Sequence, residues 1–417
     1  MNLLSRTTFI QAIGQISSKN DSNYTLIYSE INHALKVASL MQGAAAEEQL
    51  IKTVQLMIYS RIKHFRGACM TKLGRDRFAI ILKLPVKESL EVAEDLAQFL
   101  DNQSVDIEGF KYYPKLIIGI TPLSSEYKTP ERIMAAMDEA LFQSRRTGNS
   151  TVKRIEHDDP VLNEYYDALK LLPTITDGLK QQSFILFAQP IVPIDRLGTG
   201  QQKFEVLLRC KNKQGVINDN ERLFHASELF NISRELDFYV IRQFCRFLAL
   251  QKPSNTSYSL NISASTIRYN PFLDELENEF KKYNINPEQI CFEITETVAD
   301  RDYQQAIHFM NVLKNRLGCQ LSLDDIGIGS SNLANLSKFN VDFLKIDGSF
   351  IKNLLIEPYC ELVVKFITSA ARLHGRKTIA EYVENAKQLD KLRDFGVSFA
   401  QGFHTGKPEL LFDPALN

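Results

Sequence analysis

Leu321-Ser322-Leu323-Asp324-Asp325-Ile326-Gly327-Ile328-Gly329 is an alternating apolar run that ends in two adjacent carboxylates, with two glycines close behind. Taken alone it reads as a strand closed by a turn, since Asp and Gly are ordinary turn residues. A strand with paired acids at its C-terminal end is also a common way to hold a metal at the mouth of a barrel. The rest of the chain decides between the two. Strand-like runs recur at 185–192, 203–210, 257–263, 290–296, 342–349, 377–383 and 397–403, eight in all with 320–327. Amphipathic segments at 232–252, 271–283, 302–317, 359–374 and 385–395 lie among them. Strand and helix alternating over ~250 residues predict an α/β fold, a (β/α)8 TIM-type barrel, with a doubly wound open sheet as the runner-up.

Seven of these runs carry polar or charged residues inside apolar surroundings: Glu205 and Arg209, Asn261, Glu293 and Glu296, Asp324 and Asp325, Lys345 and Asp347, Glu381 and Glu384, and Gln401. A barrel interior is packed with branched apolar side chains, and a charge buried there is costly unless paired or metal-bound. One acid at a strand end is a turn residue or an N-cap, and that reading stays strong for Asp347 and Glu384. Seven strands carrying such residues to one mouth point to a site. Five carboxylates (Glu205, Glu293, Asp324, Asp325, Glu381) beside Lys345 cannot all ionise without a further counter-charge. All-oxygen donors, including an Asn carbonyl and excluding His and Cys, suit Mg²⁺ or Mn²⁺. Adjacent Asp residues allow one carboxylate to bridge two ions, and two ions ~3.5–4 Å apart are a standard arrangement for phosphodiester hydrolysis. Arg209 suits a phosphate through its planar fork.

The first half has a different rhythm. Strands are expected at 24–31, 68–73 and 77–84, the last two joined by Gly74-Arg75-Asp76. Helices are expected over 34–64, with a break near Gly43, over 86–100, and from the N-cap Thr129 to about Arg146. Runs at 105–109 and 114–121 are expected to pair around a Gly-Phe turn. The sum is an α+β palm-like domain. Residues 150–162 are poor in apolar side chains, which divides the chain into 1–155 and 156–417. A length of 417 residues agrees with two domains. The formal net charge of -1 gives no global field toward nucleic acid or anionic lipid. Six cysteines without a CxxC pair read as buried thiols of a reducing compartment. No run of ~18 apolar residues and no signal-peptide pattern is present. A cytoplasmic protein is expected, or the cytosolic part of a membrane-anchored one.

Glu205-Val206-Leu207-Leu208-Arg209 resembles the signature of EAL-domain cyclic di-GMP phosphodiesterases, with Val in place of the middle Ala. Gln189-Pro190-Ile191-Val192, Leu260-Asn261-Ile262-Ser263, Glu293-Ile294-Thr295-Glu296, Asp324-Asp325, Lys345-Ile346-Asp347, Ala380-Glu381 and Gln401-Gly402-Phe403 follow in the family's order. The resemblance implies metal-dependent opening of cyclic di-GMP to linear pGpG. It implies that Glu205, Asn261, Glu293 and Asp324 hold one Mg²⁺ or Mn²⁺, and that Asp325 with Asp324 serves a second. It gives Lys345 the nucleophilic water to orient, has Glu381 and Gln401 complete the shell, and makes Glu296 the anchor of the loop after Asp325. It places Gln189, Leu207 and Arg209 at the substrate, and it implies inhibition by Ca²⁺ and a homodimer formed through the barrel's loop and helix after Asp325. The chain departs from the pattern at Ile326, Ile328, Ser330 and Asn332, at Tyr382 where the family has Gly, and at Thr405 where it has an aromatic.

The first half resembles a GGDEF diguanylate cyclase domain, most clearly over 134–149. Its signature hairpin is here Gly74-Arg75-Asp76-Arg77-Phe78, with Arg75 in place of a Gly and Arg77 in place of an acid. Ser29-Glu30-Ile31-Asn32 stands where the family carries metal-binding Asp residues, and Phe65 and Ala68 occupy the positions of its product-inhibition motif. Such a domain is degenerate and is expected to sense GTP, dimerise or bind a protein partner. Two alternatives to the phosphodiesterase stay open. One is a cyclic di-GMP receptor or signalling adaptor, including a regulator of regulatory-RNA turnover. The other is a barrel enzyme for some other phosphodiester.

Overall fold

In the computed structural model, β2 (Thr25–Ile31) is buried at every position, as a central strand covered on both faces must be. Described are residues 2–19, 23–31, 44–107, 110–127, 129–147, 152–194, 202–211, 217–218, 221–252, 254–301, 303–327 and 339–414. β2 lies between β4 (Arg77–Leu82) and β7 (Leu116–Pro122), antiparallel to both. β3 (Cys69–Lys72) extends this antiparallel set, and β1 (Asn2–Leu3) and β8 (Val152–Arg154) add parallel edges. Ile27, Ile31, Phe78 and Ile80 pack on one face with residues of helices Ala44–Ile62 and Val86–Asp101. Leu26, Tyr28, Ala79 and Ile81 pack on the other with residues of helices Arg6–Ser17 and Pro130–Thr147.

Two details differ from the sequence expectation. The run at 105–109 does not pair with the one at 114–121. β5 (Val105–Ile107) pairs with β6 (Phe110–Tyr112) as a separate hairpin, and β7 joins the main sheet. β7 is apolar and almost wholly buried, which requires a place with cover on both faces. Helix Arg6–Ser17 was not anticipated, although Ser5 caps it by accepting from Thr8 N at 3.2 Å. The expected break at Gly43 and the position Asn32 lie outside the described residues.

The chain divides into compact units Met1–Asp167 and Ala168–Asn417. Helix Pro160–Gln181, also unforeseen, supplies Leu162 and Tyr166 to the core of the first and Ala168 and Ile175 to the core of the second. The expected cut at 155/156 falls just ahead of this helix.

The second unit is a closed barrel of eight strands. They are β9 (Phe184–Pro193), β10 (Gln202–Lys211), β12 (Thr256–Asn261), β13 (Ile290–Thr295), β14 (Gln320–Ile326), β15 (Phe343–Ile346), β16 (Lys377–Ala380) and β17 (Phe399–Ala400). Two short strands, β11 (Ile217–Asn218) and β18 (Glu409–Phe412), attach to β10 and β9. From β10 to β17 the neighbours are parallel, whereas β9 runs antiparallel to both β10 and β17. The expected eight-stranded barrel is closed, with β9 antiparallel to its neighbours. Only eight residues, 194–201, separate β9 from β10, too few for a helical crossover, and a connection that short returns the chain antiparallel. The five anticipated helices are present at Ser233–Leu250, Phe272–Tyr283, Tyr303–Asn311 with a continuation to Leu317, Pro358–Leu373 and Ala386–Phe395.

Strand alternation sorts the barrel residues. Val206, Leu208, Leu260, Ile294, Leu321, Leu323, Leu344 and Ile346 belong to the large core shared with the helices. Ile191, Cys291, Phe343, Ile379 and Phe399 form a separate apolar cluster drawn from five strands. These inner positions alternate with the polar ones: Cys291 with Glu293, Phe343 with Lys345, Ile379 with Glu381, and Phe399 with Gln401. The barrel interior thus has an apolar floor and a charged mouth.

Candidate active site

Adjacent residues of a regular strand point to opposite faces. Asp324 and Asp325 could not then both serve one mouth. β14 is not regular: its register against β15 shifts between Leu323 and Ile326, and Asp325 has φ 57°. Asp tolerates the left-handed region better than most residues, and a bulge of this sort re-aims a side chain. Asp324, Asp325 and Glu381 consequently offer oxygen atoms that lie within 4.8 Å of one another. Asp325 N donates to Asp324 Oδ1 at 2.9 Å, and Gly327 N donates to the buried Glu296 Oε2 at 3.1 Å. Glu296 is thereby tied to the start of the segment after Asp325. Ile328, Ser330 and Asn332 lie outside the described residues.

Lys345 is the cation of the site and is fully buried. Its Nζ lies 2.7 Å from Glu381 Oε1, 2.8 Å from Glu293 Oε2, 3.1 Å from Asp324 Oδ2 and 3.6 Å from Glu205 Oε2. Glu205 is held by two amides: Asn261 Nδ2 donates to Oε1 at 2.9 Å and Gln401 Nε2 to Oε2 at 2.6 Å. Gln401 Nε2 also reaches Gln189 Oε1 at 3.2 Å, and Gln189 Nε2 donates to the Gly406 carbonyl at 3.1 Å. Residues on or directly after all eight barrel strands thus form one connected set.

The electrostatics follow from burial. Desolvation would lower the Lys345 ammonium, but Asp324, Glu205, Glu293 and Glu381 hold it well above its ordinary range. Burial, with Glu205 and Asp324 nearby, pushes Glu293 up to about 8 against the pull of Lys345. Burial likewise raises Glu381 well above the carboxylate range. Glu205 is the exception: burial opposes its ionisation, yet Lys345, Gln401 and Asn261 keep it below the usual value. Burial and the Asp324 charge bring Asp325 to about 6. Five carboxylates facing one ammonium leave a surplus of negative charge. Glu293 Oε1 and Gln401 Oε1 are buried with no hydrogen-bond partner among the described residues. An all-oxygen set with spare acceptors and unbalanced charge fits divalent cations of the Mg²⁺ or Mn²⁺ type.

The remaining expected residues are placed differently. Arg209 shares an inward face with Glu205 and Leu207, all three of them on β10, and its Nη1 donates to the Leu208 carbonyl at 2.9 Å. Asp347 caps the helix Gly348–Lys352 by accepting from Ser349 N at 2.8 Å. Glu384 is exposed, and its N–H donates to Gln388 Oε1 at 2.9 Å. Sequence reasoning missed Asp237. This buried carboxylate accepts from Ser263 N at 2.9 Å, Ser263 Oγ at 2.6 Å and Thr266 Oγ1 at 2.6 Å, just after Asn261. It also missed the buried Lys203, whose Nζ reaches Ser257 Oγ at 2.9 Å and Gln320 Oε1 at 3.0 Å. Two-residue spacing from Glu205 was the available signal for Lys203. Asp237 gave none, because an acid on a helix reads as solvated.

In the first unit, the hairpin Gly74-Arg75-Asp76-Arg77-Phe78 joins β3 to β4. Arg77 Nε contacts Glu30 Oε2 at 2.7 Å and its Nη1 contacts Asp138 Oδ1 at 3.0 Å. Arg75 lies 3.5 Å from Glu47, and Phe78 is buried.

Residues 173–408 match the family model for the EAL domain. The chain belongs to the EAL-domain family. Residues 2–151 match the model described as diguanylate cyclase, GGDEF domain, so a GGDEF domain precedes the EAL domain in tandem. The cyclic di-GMP phosphodiesterase PdeB of Shewanella oneidensis is 26% identical over 414 residues, 98% of this chain and 47% of that protein. The cyclic di-GMP phosphodiesterase PdeF of Escherichia coli K12 is 31% identical over 252 residues, 60% of this chain and 33% of that protein. This chain thus spans less than half the length of either curated relative. The EAL domain of FimX from Pseudomonas aeruginosa, solved bound to c-di-GMP, is 25% identical with a TM-score of 0.54, over 58% of this chain and 98% of that one. The PaMucR phosphodiesterase in complex with c-di-GMP is 26% identical with a TM-score of 0.54, over the same shares. No helix among the described residues of this EAL protein is long and apolar enough to cross a membrane.

Proposed function

We propose that the EAL barrel hydrolyses one phosphodiester of cyclic di-GMP to linear pGpG, using Mg²⁺ or Mn²⁺ and inhibited by Ca²⁺. The observation that carries this reading is the bulge at Asp324–Asp325, which turns two consecutive carboxylates toward a mouth already holding Glu205, Glu293, Glu381 and Lys345. Glu205, Asn261, Glu293 and Asp324 would hold one ion, and Asp325 with Asp324 a second. When bound, the ions lower the pKa of a water and polarise a phosphoryl oxygen. The chain's own residues do the rest. Lys345 stays protonated and orients the water through an N–H. Gln401 and Asn261 fix the Glu205 carboxylate, and Arg209, Leu207 and Gln189 face the substrate. Glu296 holds the turn after Asp325.

The GGDEF domain makes no cyclic di-GMP in this reading. Arg77 places a guanidinium between Glu30 and Asp138, so cationic charge stands where a metal-nucleotide site needs free carboxylates. Sensing of GTP or docking of a protein partner is the role left to it.

The protein acts in the cytoplasm as a homodimer. Ile356, Tyr359, Leu362, Phe366 and Leu373 form an exposed apolar stripe on and beside helix Pro358–Leu373, and such a face is normally covered. A second copy is the occupant proposed.

The test incubates purified protein with cyclic di-GMP and Mg²⁺ or Mn²⁺ and follows pGpG by chromatography. Turnover supports the reading. Binding in Ca²⁺ without any turnover in Mg²⁺ or Mn²⁺ refutes it and makes the protein a receptor or adaptor.

A further inference from the structure

Tyr382 directly follows Glu381 and adopts φ 53°, a backbone region that bulky side chains rarely occupy. Its ring lies against Gly348, where any Cβ would strike Tyr382 Cβ, Cγ and Cδ2. Gly348 comes straight after Asp347, which directly follows the C-terminal end of β15 at Ile346. The ring therefore sits on the rim of the mouth, above the ends of β15 and β16. Lys352 Nζ stands 4.0 Å from its centroid, a cation–π distance that helps orient it. Even so, Tyr382 is 53% exposed. A strained backbone that keeps a large aromatic ring half in water is not explained by core packing. Strain of this kind clusters at ligand clamps. Every nucleobase presents a π-face, and base–aromatic stacking is the usual way a protein uses such a ring.

We infer that Tyr382 is a stacking platform for a purine base of the substrate, oriented by Gly348 and Lys352. It makes the mouth selective for nucleotide phosphodiesters over phosphodiesters without a base. This rests on the cyclic di-GMP reading above and adds to it the residue that recognises a base.

The chain contains no tryptophan, so Tyr382→Trp installs a single reporter. Its fluorescence is expected to be quenched saturably by cyclic di-GMP in Ca²⁺ and unaffected by inorganic phosphate. Tyr382→Gly, which suits the positive φ, is expected to fold and to raise KM about tenfold with kcat changed by less than roughly twofold, the loss of one stack of about 1.4 kcal/mol. Tyr382→Phe restores the wild-type KM. A purely structural role would change melting temperature and leave KM where it was. An unresponsive reporter, or an unchanged KM in Tyr382→Gly while the wild type turns over, refutes the stack alone. Absence of both binding and turnover in the wild type refutes the stack together with the reading it rests on.

Discussion

Lys345→Met removes the one ammonium found in the mouth among the described residues while leaving a side chain of similar length. The lost charge stands 2.7 Å from Glu381, 2.8 Å from Glu293, 3.1 Å from Asp324 and 3.6 Å from Glu205. Deleting one partner of a buried ion pair costs about 3–5 kcal/mol, because the other charge stays buried and uncompensated. A domain of this size shifts its Tm by about 2–4 °C per kcal/mol, so the metal-free barrel should lose about 6–20 °C. Proton uptake limits the loss. Glu293 is already raised to about 8, with Glu381 raised as well, and both rise further without the ammonium. A carboxyl whose folded pKa exceeds its unfolded value loses stability as pH climbs from the unfolded value through the folded one. The deficit should therefore be larger near pH ~9 than near pH ~6. Added Mg²⁺ or Mn²⁺ supplies positive charge, so it should raise the Tm of the variant by more than that of the wild type. Thermal unfolding in EDTA and in Mn²⁺ at both pH values measures each point. A variant that melts with the wild type in EDTA at the higher pH would show that the carboxylates do not form one charged cluster around Lys345.

Glu205→Ala removes the acceptor of both Asn261 and Gln401 and should cut pGpG formation by about a hundredfold or more; chromatography of a fully active variant would mean the site is wrong. Asp237 is raised by burial from 3.8 to about 6, so wild-type stability should fall by about 2 kcal/mol between pH ~4 and ~6 from this group alone. Asp237→Asn should lack that component, and urea unfolding at the two pH values gives the difference; equal slopes in both proteins refute it. Phe366→Glu puts a charge into the exposed apolar stripe and should shift the dimer to monomer by light scattering, and an unchanged mass would exclude this face. Incubation with GTP and Mg²⁺ should yield no cyclic di-GMP, and any product would overturn the reading of the Arg77 bridge.

Most of the barrel was legible because its inner residues obey a period of two. Glu205, Glu293, Lys345, Glu381 and Gln401 sit in apolar runs, and a polar residue there has few bland explanations. The antiparallel β9 was also legible in principle, from the short stretch between the runs at 185–192 and 203–210. What stayed hidden was local conformation. Nothing in Asp324-Asp325-Ile326 announces a bulge, since the same letters make a plain strand end in another context. Asp347 shows the converse: it belongs to the family-like run Lys345-Ile346-Asp347, yet in the structure it caps a short helix. Asp237 was invisible because its partners, Ser263 and Thr266, cap and belong to the short helix Ala264–Ile267 and meet it only in three dimensions.

The reversed first strand also closes the site. In an all-parallel barrel every mouth residue comes from a C-terminal strand end. Here Gln189 comes from mid-strand, and its register opposite Glu205 places it at the mouth. Gln401, directly after β17, donates to Gln189 on β9 and to Glu205 on β10, so one amide spans the seam where the last strand meets the first two. Few backbone pairs join β17 to β9: Phe399 with Pro193 and Ala400 with Val192. The side-chain bridge adds to this short ladder near the mouth. The Gln401 amide that helps hold the Glu205 carboxylate in place thus also bridges the seam of the barrel. Loosening the seam and misplacing the carboxylate become a single event, which ties the precision of the site to the integrity of the fold.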